Sequence, residues 1–123
     1  MTYNISYIDD IDIVVLRYDA PVNINEHMNG RKETIELCEQ KGTKKVLVVL
    51  NYTAAEDSSE LNDLMLFGKS LDKKQSKDVS FFVVLPDDEQ AQNDIYFPIY
   101  LLQKNGVNVK TFFNCHDAIE CLL

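Results

Sequence analysis

Polar and apolar residues alternate from the start of the chain. Tyr3, Ile5 and Tyr7 fall on one side, Asn4 and Ser6 on the other. A period of two is that of a strand with one face buried, so Tyr3–Ile8 is expected to be one. Asp9-Asp10 is a turn signal. The β-branched run Ile11, Ile13, Val14 and Val15 then predicts a second strand over Ile11–Tyr18. So short a connection forces the two strands to pair antiparallel, as a hairpin.

The period then lengthens. Ile24, Met28, Ile35 and Cys38 share one face at helical spacing, with Arg31 interrupting. A helix is expected from a cap at Asn23 or Asn25 to about Gln40, stopped by Gly42. Val46–Leu50 is apolar throughout, as a strand covered on both faces should be. A loop over Asn51–Asp57 leads to a predicted helix from Ser58 to about Leu71, with Leu61, Leu64, Met65, Gly68 and Leu71 inward. Val79–Leu85 is a further apolar strand ended by Pro86. A helix over Asp88–Asn105 stops at Gly106; Pro98 inside it marks either a kink or the first turn of a shorter helix. Val107, Val109 and Thr111 alternate as a last strand. Asn114 caps a short helix carrying Ala118, Ile119 and Leu122.

The expected order is β-β-α-β-α-β-α-β-α. Strands separated by helices run parallel through right-handed crossovers. The prediction is therefore one α/β domain over residues 1–123: a mixed five-stranded sheet with an antiparallel N-terminal hairpin, remaining strands mostly parallel, and about four helices.

Composition narrows the function classes. The chain has 123 residues, the size of one domain. Twelve basic residues against twenty acidic ones leave a net charge of −8. Nucleic acid needs a basic footprint and anionic membranes repel such a chain, so neither is an expected partner. Lys69, Lys73, Lys74 and Lys77 bunch where a helix should end and read as complementing its dipole. The opening MTYNISYIDDID has no basic segment or apolar core of a signal peptide, and no apolar run approaches a membrane span. Three unevenly spaced cysteines, Cys38, Cys115 and Cys121, are no disulfide framework. A cytoplasmic location with reduced thiols is the expectation.

Two stretches carry a family likeness. VLVVLNYTAAEDSSELNDLMLF, Val46 to Phe67, and VNVKTFFNCHDAIECLL, Val107 to Leu123, resemble the STAS superfamily and its SpoIIAA-like branch. The first looks like the strand–loop–helix of anti-sigma-factor antagonists, with Asp57-Ser58-Ser59-Glu60-Leu61 in place of their Asp-Ser-Ser-Gly-Leu motif. The second is similar to the family's closing strand, aromatic residue and short helix. The resemblance implies a regulatory module that engages a protein partner. It also implies Ser58 and Ser59 as phosphorylation candidates, with Asp57 and Leu61 beside them at the partner-binding edge. In the wider branch it implies a small apolar or lipid-like ligand.

The residues themselves are more conservative. Asp57 and Glu60 read as a capping box, and the acidic neighbours of Ser58 are expected to repel a phosphate. Glu60 in place of Gly argues against a phosphorylation-dependent switch. Acidic residues collect after the predicted parallel strands, at Glu56, Asp57, Asp87, Asp88 and Glu89, where open α/β sheets bind ligands. First-turn capping accounts for them. The spacing of Cys115, His116 and Cys121 suits no zinc motif. No phosphate loop or nucleophile elbow is present. No catalytic residue, metal site or cofactor is therefore expected, and a metal-assisted enzyme is the lowest-ranked reading. The run Ile95–Leu102 is apolar all round. It reads either as a deeply packed helix or as an exposed patch for a ligand, a partner or a homodimer, with Tyr96, Phe97 and Tyr100 as anchors.

Overall fold

The computed structural model describes residues 3–19, 24–51, 79–104 and 106–123. Among these residues are five strands: β1 (Tyr3–Ile8), β2 (Ile13–Tyr18), β3 (Lys45–Leu50), β4 (Ser80–Val84) and β5 (Asn108–Phe112). The described helices are α1 (Ile24–Lys41), α2 (Glu89–Lys104) and α3 (Cys115–Leu122). The predicted helix from Ser58 and the lysines from Lys69 to Lys77 lie outside the described residues.

The sheet is mixed and its strands lie in the order β1-β2-β3-β4-β5. β1 and β2 are antiparallel, with Tyr3 opposite Tyr18 and Ile8 opposite Ile13. β2 joins the parallel set, pairing with β3, which pairs with β4, which pairs with β5. The expected fold class holds: a single α/β domain with an N-terminal hairpin on a parallel sheet.

The second strand begins two residues later than its β-branched run suggests. Residues Asp9–Asp12 form the turn, and Asp12 adopts a φ of +54°. The turn is secured on both sides. The Tyr7 hydroxyl donates to Asp12 Oδ1 at 2.6 Å, and Thr43 Oγ1 donates to the Asp12 carbonyl at 2.7 Å. Ile11 is thereby drawn out of the ladder and packs at the margin of the core.

Registers sort the side chains onto two faces. Val14, Val46, Phe81 and Val109 stand in one row. With Tyr3, Leu16, Tyr18, Leu50 and Val83 they face α1 and α2. Ile13, Leu47, Phe82 and Val84 face the other way, against Ala118 and Leu122 of α3. α1 and α2 thus share one face while the strand order advances in a single direction. Crossovers of one hand require this arrangement.

The inner face of α1 differs from its apolar stripe. Ile35 and Cys38 are buried, but Met28 is 44% exposed and Thr34 is fully buried. Thr34 is tolerated because its hydroxyl donates to the Gly30 carbonyl at 2.7 Å, leaving its methyl to pack. Gly30 is the point of closest approach: a Cβ there would stand 2.8 Å from Tyr18 Oη. Gly42 and Gly106 end α1 and α2 as predicted, with φ of +70° and +87°.

Candidate functional site

α2 is fixed at both ends before it offers anything to solvent. Asp88 Oδ2 accepts the Ala91 amide at 3.0 Å, capping the helix start. Gln92 Nε2 donates to the Pro86 carbonyl at 2.7 Å. At the far end Gln103 Nε2 donates to the Val109 carbonyl at 2.9 Å, and the Val107 amide donates to the Leu102 carbonyl at 3.0 Å. The helix runs through Pro98, so of the two readings for that proline the shorter helix is excluded. Ala91, Ile95 and Ile99 are buried and Leu102 packs against the same cluster. These positions are spaced by four, four and three, one stripe of a helix.

The same stripe places Tyr96 and Tyr100 outward, one turn apart, at 43% and 54% exposure. The run that looks apolar all round is therefore divided by the fold into a buried aliphatic face and an exposed aromatic one. Phe97 lies between the tyrosines in sequence, within α2; its side chain is outside the described residues. So are Asp57, Ser58, Ser59 and Leu61, of which only the approach at Asn51 is described.

At that approach the carboxyl ends of β2 and β3 are tied together. The Asn51 amide donates to the Tyr18 carbonyl at 2.8 Å. Arg17 Nε donates to Asp19 Oδ1 at 2.7 Å, and Asn51 Nδ2 reaches the same oxygen at 3.4 Å. These two donors, Arg17 first, hold the Asp19 carboxyl below its ordinary range. Crevices open where strand order reverses and helices diverge to opposite faces. Here the order never reverses.

The third candidate region is the start of α3. Asn114 is the N-cap, its side chain accepting the Asp117 amide at 2.8 Å. Cys115, His116 and Cys121 fall in or beside this helix, at a spacing that suits no zinc motif. The structure leaves both cysteines exposed and free, and groups His116 with Asp117 and Glu120 instead. His116 Nε2 lies 3.0 Å from Glu120 Oε1, four residues on. That i,i+4 pair is visible in the sequence and is ordinary helix-surface chemistry. All three groups are exposed, and Asp117 Oδ2 already accepts from Asn114 Nδ2 at 3.1 Å.

Cys38 is the buried thiol. Burial first, and the neighbouring Glu39 charge second, push its pKa up to about 11. A thiol so raised is a poor nucleophile. Tyr7 is pushed up to about 12, chiefly because its hydroxyl donates to Asp12. Both shifts belong to packing and turn structure; neither group faces α2's outer side.

No family model matches the chain, and neither do the curated proteins or the solved structures. Among the described residues no helix is long and apolar enough to cross a membrane.

Proposed function

We propose that the domain is a non-catalytic binding module of STAS-like type, and that it engages a protein partner through the outer face of α2. One observation carries the reading: Tyr96 and Tyr100 stand one turn apart on a helix pinned at both ends. Aromatic side chains held this way bury large area at low entropic cost and are typical anchors of protein interfaces. The closing stretch supports the family part of the reading. It forms the strand, aromatic, Asx cap and short helix on which the resemblance rests. The net charge of −8 favours a partner with a basic rim.

The test places a photo-crosslinking amino acid at Tyr96 in the native host, identifies the captured protein, and measures its affinity for purified domain. A Tyr96→Ser/Tyr100→Ser variant is expected to bind it at least about 30-fold more weakly, equivalent to roughly 2 kcal/mol for two anchors. Undiminished binding by that variant removes α2 as the docking face.

A further inference from the structure

We propose that a second copy of this chain pairs with the domain through β1, giving a dimer whose sheet is continuous across a two-fold axis. β1 is an end strand of the sheet. End strands expose a row of unpaired backbone groups, and proteins ordinarily blunt them with charge, proline or a bulge. β1 has none of these. Its six residues, Tyr-Asn-Ile-Ser-Tyr-Ile, carry no charge and no proline, and its register with β2 runs without interruption. β5, at the other end, carries Lys110. An uncharged edge on a chain of net charge −8 is also where two like copies can meet with least repulsion.

The pairing has a preferred register. Directly opposed residues of antiparallel strands point to the same face, so the two-fold axis must pass midway between a residue and its own copy. Centred on Ser6, it brings the partner's Asp9 beside Tyr3, whose hydroxyl already donates to Glu33 at 3.0 Å. Centred on Ile5, it sets Tyr3 against the partner's Tyr7 twice and Ile5 against the partner's Ile5. Asn4 then faces the partner's Ser6 on the other side of the sheet. Aromatic and β-branched pairs are the favourable cross-strand combinations. The Tyr7 that meets the partner's Tyr3 carries both Asp12 on its hydroxyl and Lys41 Nζ 5.3 Å from its ring centroid, so the partner's Glu33 approaches a pair of opposite charges rather than a lone carboxylate. The second register is therefore the one proposed.

A single strand pair is a small interface, so the dimer should be weak and concentration-dependent. Asn4 and Ser6 are exposed, so charges there leave the fold intact. Asn4→Lys/Ser6→Lys opposes lysine to lysine twice; Asn4→Lys/Ser6→Glu opposes lysine to glutamate twice. Sedimentation velocity from about 5 to 200 μM reads the outcome, with circular dichroism checking the fold. The wild type should approach twice 14.1 kDa at the upper end. The Lys/Lys variant should stay at one chain's mass, and the Lys/Glu variant should dimerise at least as well as wild type. A wild type that is monomeric throughout overturns the proposal. So does a Lys/Lys variant that still dimerises, or a Lys/Glu variant as monomeric as it. The Tyr96→Ser/Tyr100→Ser variant should keep the dimer; its loss there moves the interface to α2 and overturns the β1 pairing.

Discussion

Leu122→Ala tests whether α3 is what closes the second face of the sheet. Leu122 is 3% exposed and packs in the cluster formed by Ile13, Leu47, Phe82, Val84 and Ala118. The substitution removes three carbons, about 2.4 kcal/mol of transfer free energy at about 0.8 kcal/mol each. The vacated space adds a cavity term, which takes buried leucines to about 2.7–5 kcal/mol. α3 has only eight residues and relaxes more readily than a long helix, so a loss of about 3 kcal/mol is expected. Its end stays anchored, because Lys45 Nζ donates to the backbone carbonyl of Leu122 at 2.8 Å whatever the side chain. For 123 residues the unfolding entropy is about 0.26 kcal/mol/K, so Tm should fall by about 12 °C. Urea titration followed by circular dichroism measures the loss directly, provided m is unchanged. Leu123→Ala is the internal control: that neighbour is 79% exposed and should cost under about 0.5 kcal/mol. Equal effects of the two substitutions, or a Leu122→Ala loss below about 1 kcal/mol, would refute the packing of α3 described above.

Thiol reactivity separates the cysteines. In native protein at pH 8, Cys115 and Cys121 should react promptly with a disulfide reagent, and Cys38 only after denaturant is added. Three fast thiols would place Cys38 at the surface. Alkaline unfolding should report Tyr7. Its folded pKa is raised from 10.0 to about 12, so its contribution is full below pH 10 and is lost as pH rises toward 12. Tyr7→Phe should therefore lower Tm at neutral pH and flatten its fall across that window. An unchanged slope would mean that the bond to Asp12 does not form in solution.

The hairpin, the mixed sheet and the last capped helix were legible in the sequence because each has a local cause. Alternation fixes β1, Gly42 and Gly106 mark helix ends, and Asn114 is a cap with an amide to accept. What local patterns missed arises from contacts distant in sequence. The start of β2 depends on Thr43 reaching back to the Asp12 carbonyl. Met28 looks inward by period, yet Gly30 brings that turn so close to Tyr3 and Tyr18 that the inner face passes through Thr34 instead. For the site, Tyr96 and Tyr100 were named by composition, but no count of apolar residues separates them from Ile95 and Ile99. Only the position of α2 over β5 does. The stretch from Asp57 to Leu61 lies outside the described residues and remains as the sequence presents it.

Strand order bears directly on where this domain can work. In doubly wound sheets the reversal of order separates helices and leaves a crevice at the strands' carboxyl ends. Here the order advances steadily; α1 and α2 lie on one face and α3, which follows β5, on the other, so among the described elements the helices diverge only after β4 and β5. Of the three acidic residues after β4, Asp88 spends a carboxylate oxygen on its own helix amide. Arg17 and Asn51, at the ends of β2 and β3, donate side-chain N–H groups to the Asp19 carboxylate. Asp88, Arg17 and Asn51 are thus engaged in holding the fold, and Tyr96 and Tyr100 lie exposed on the outer side of α2. An interaction surface on α2 needs no rearrangement of the sheet, and it leaves β1, at the sheet's end, able to pair at the same time.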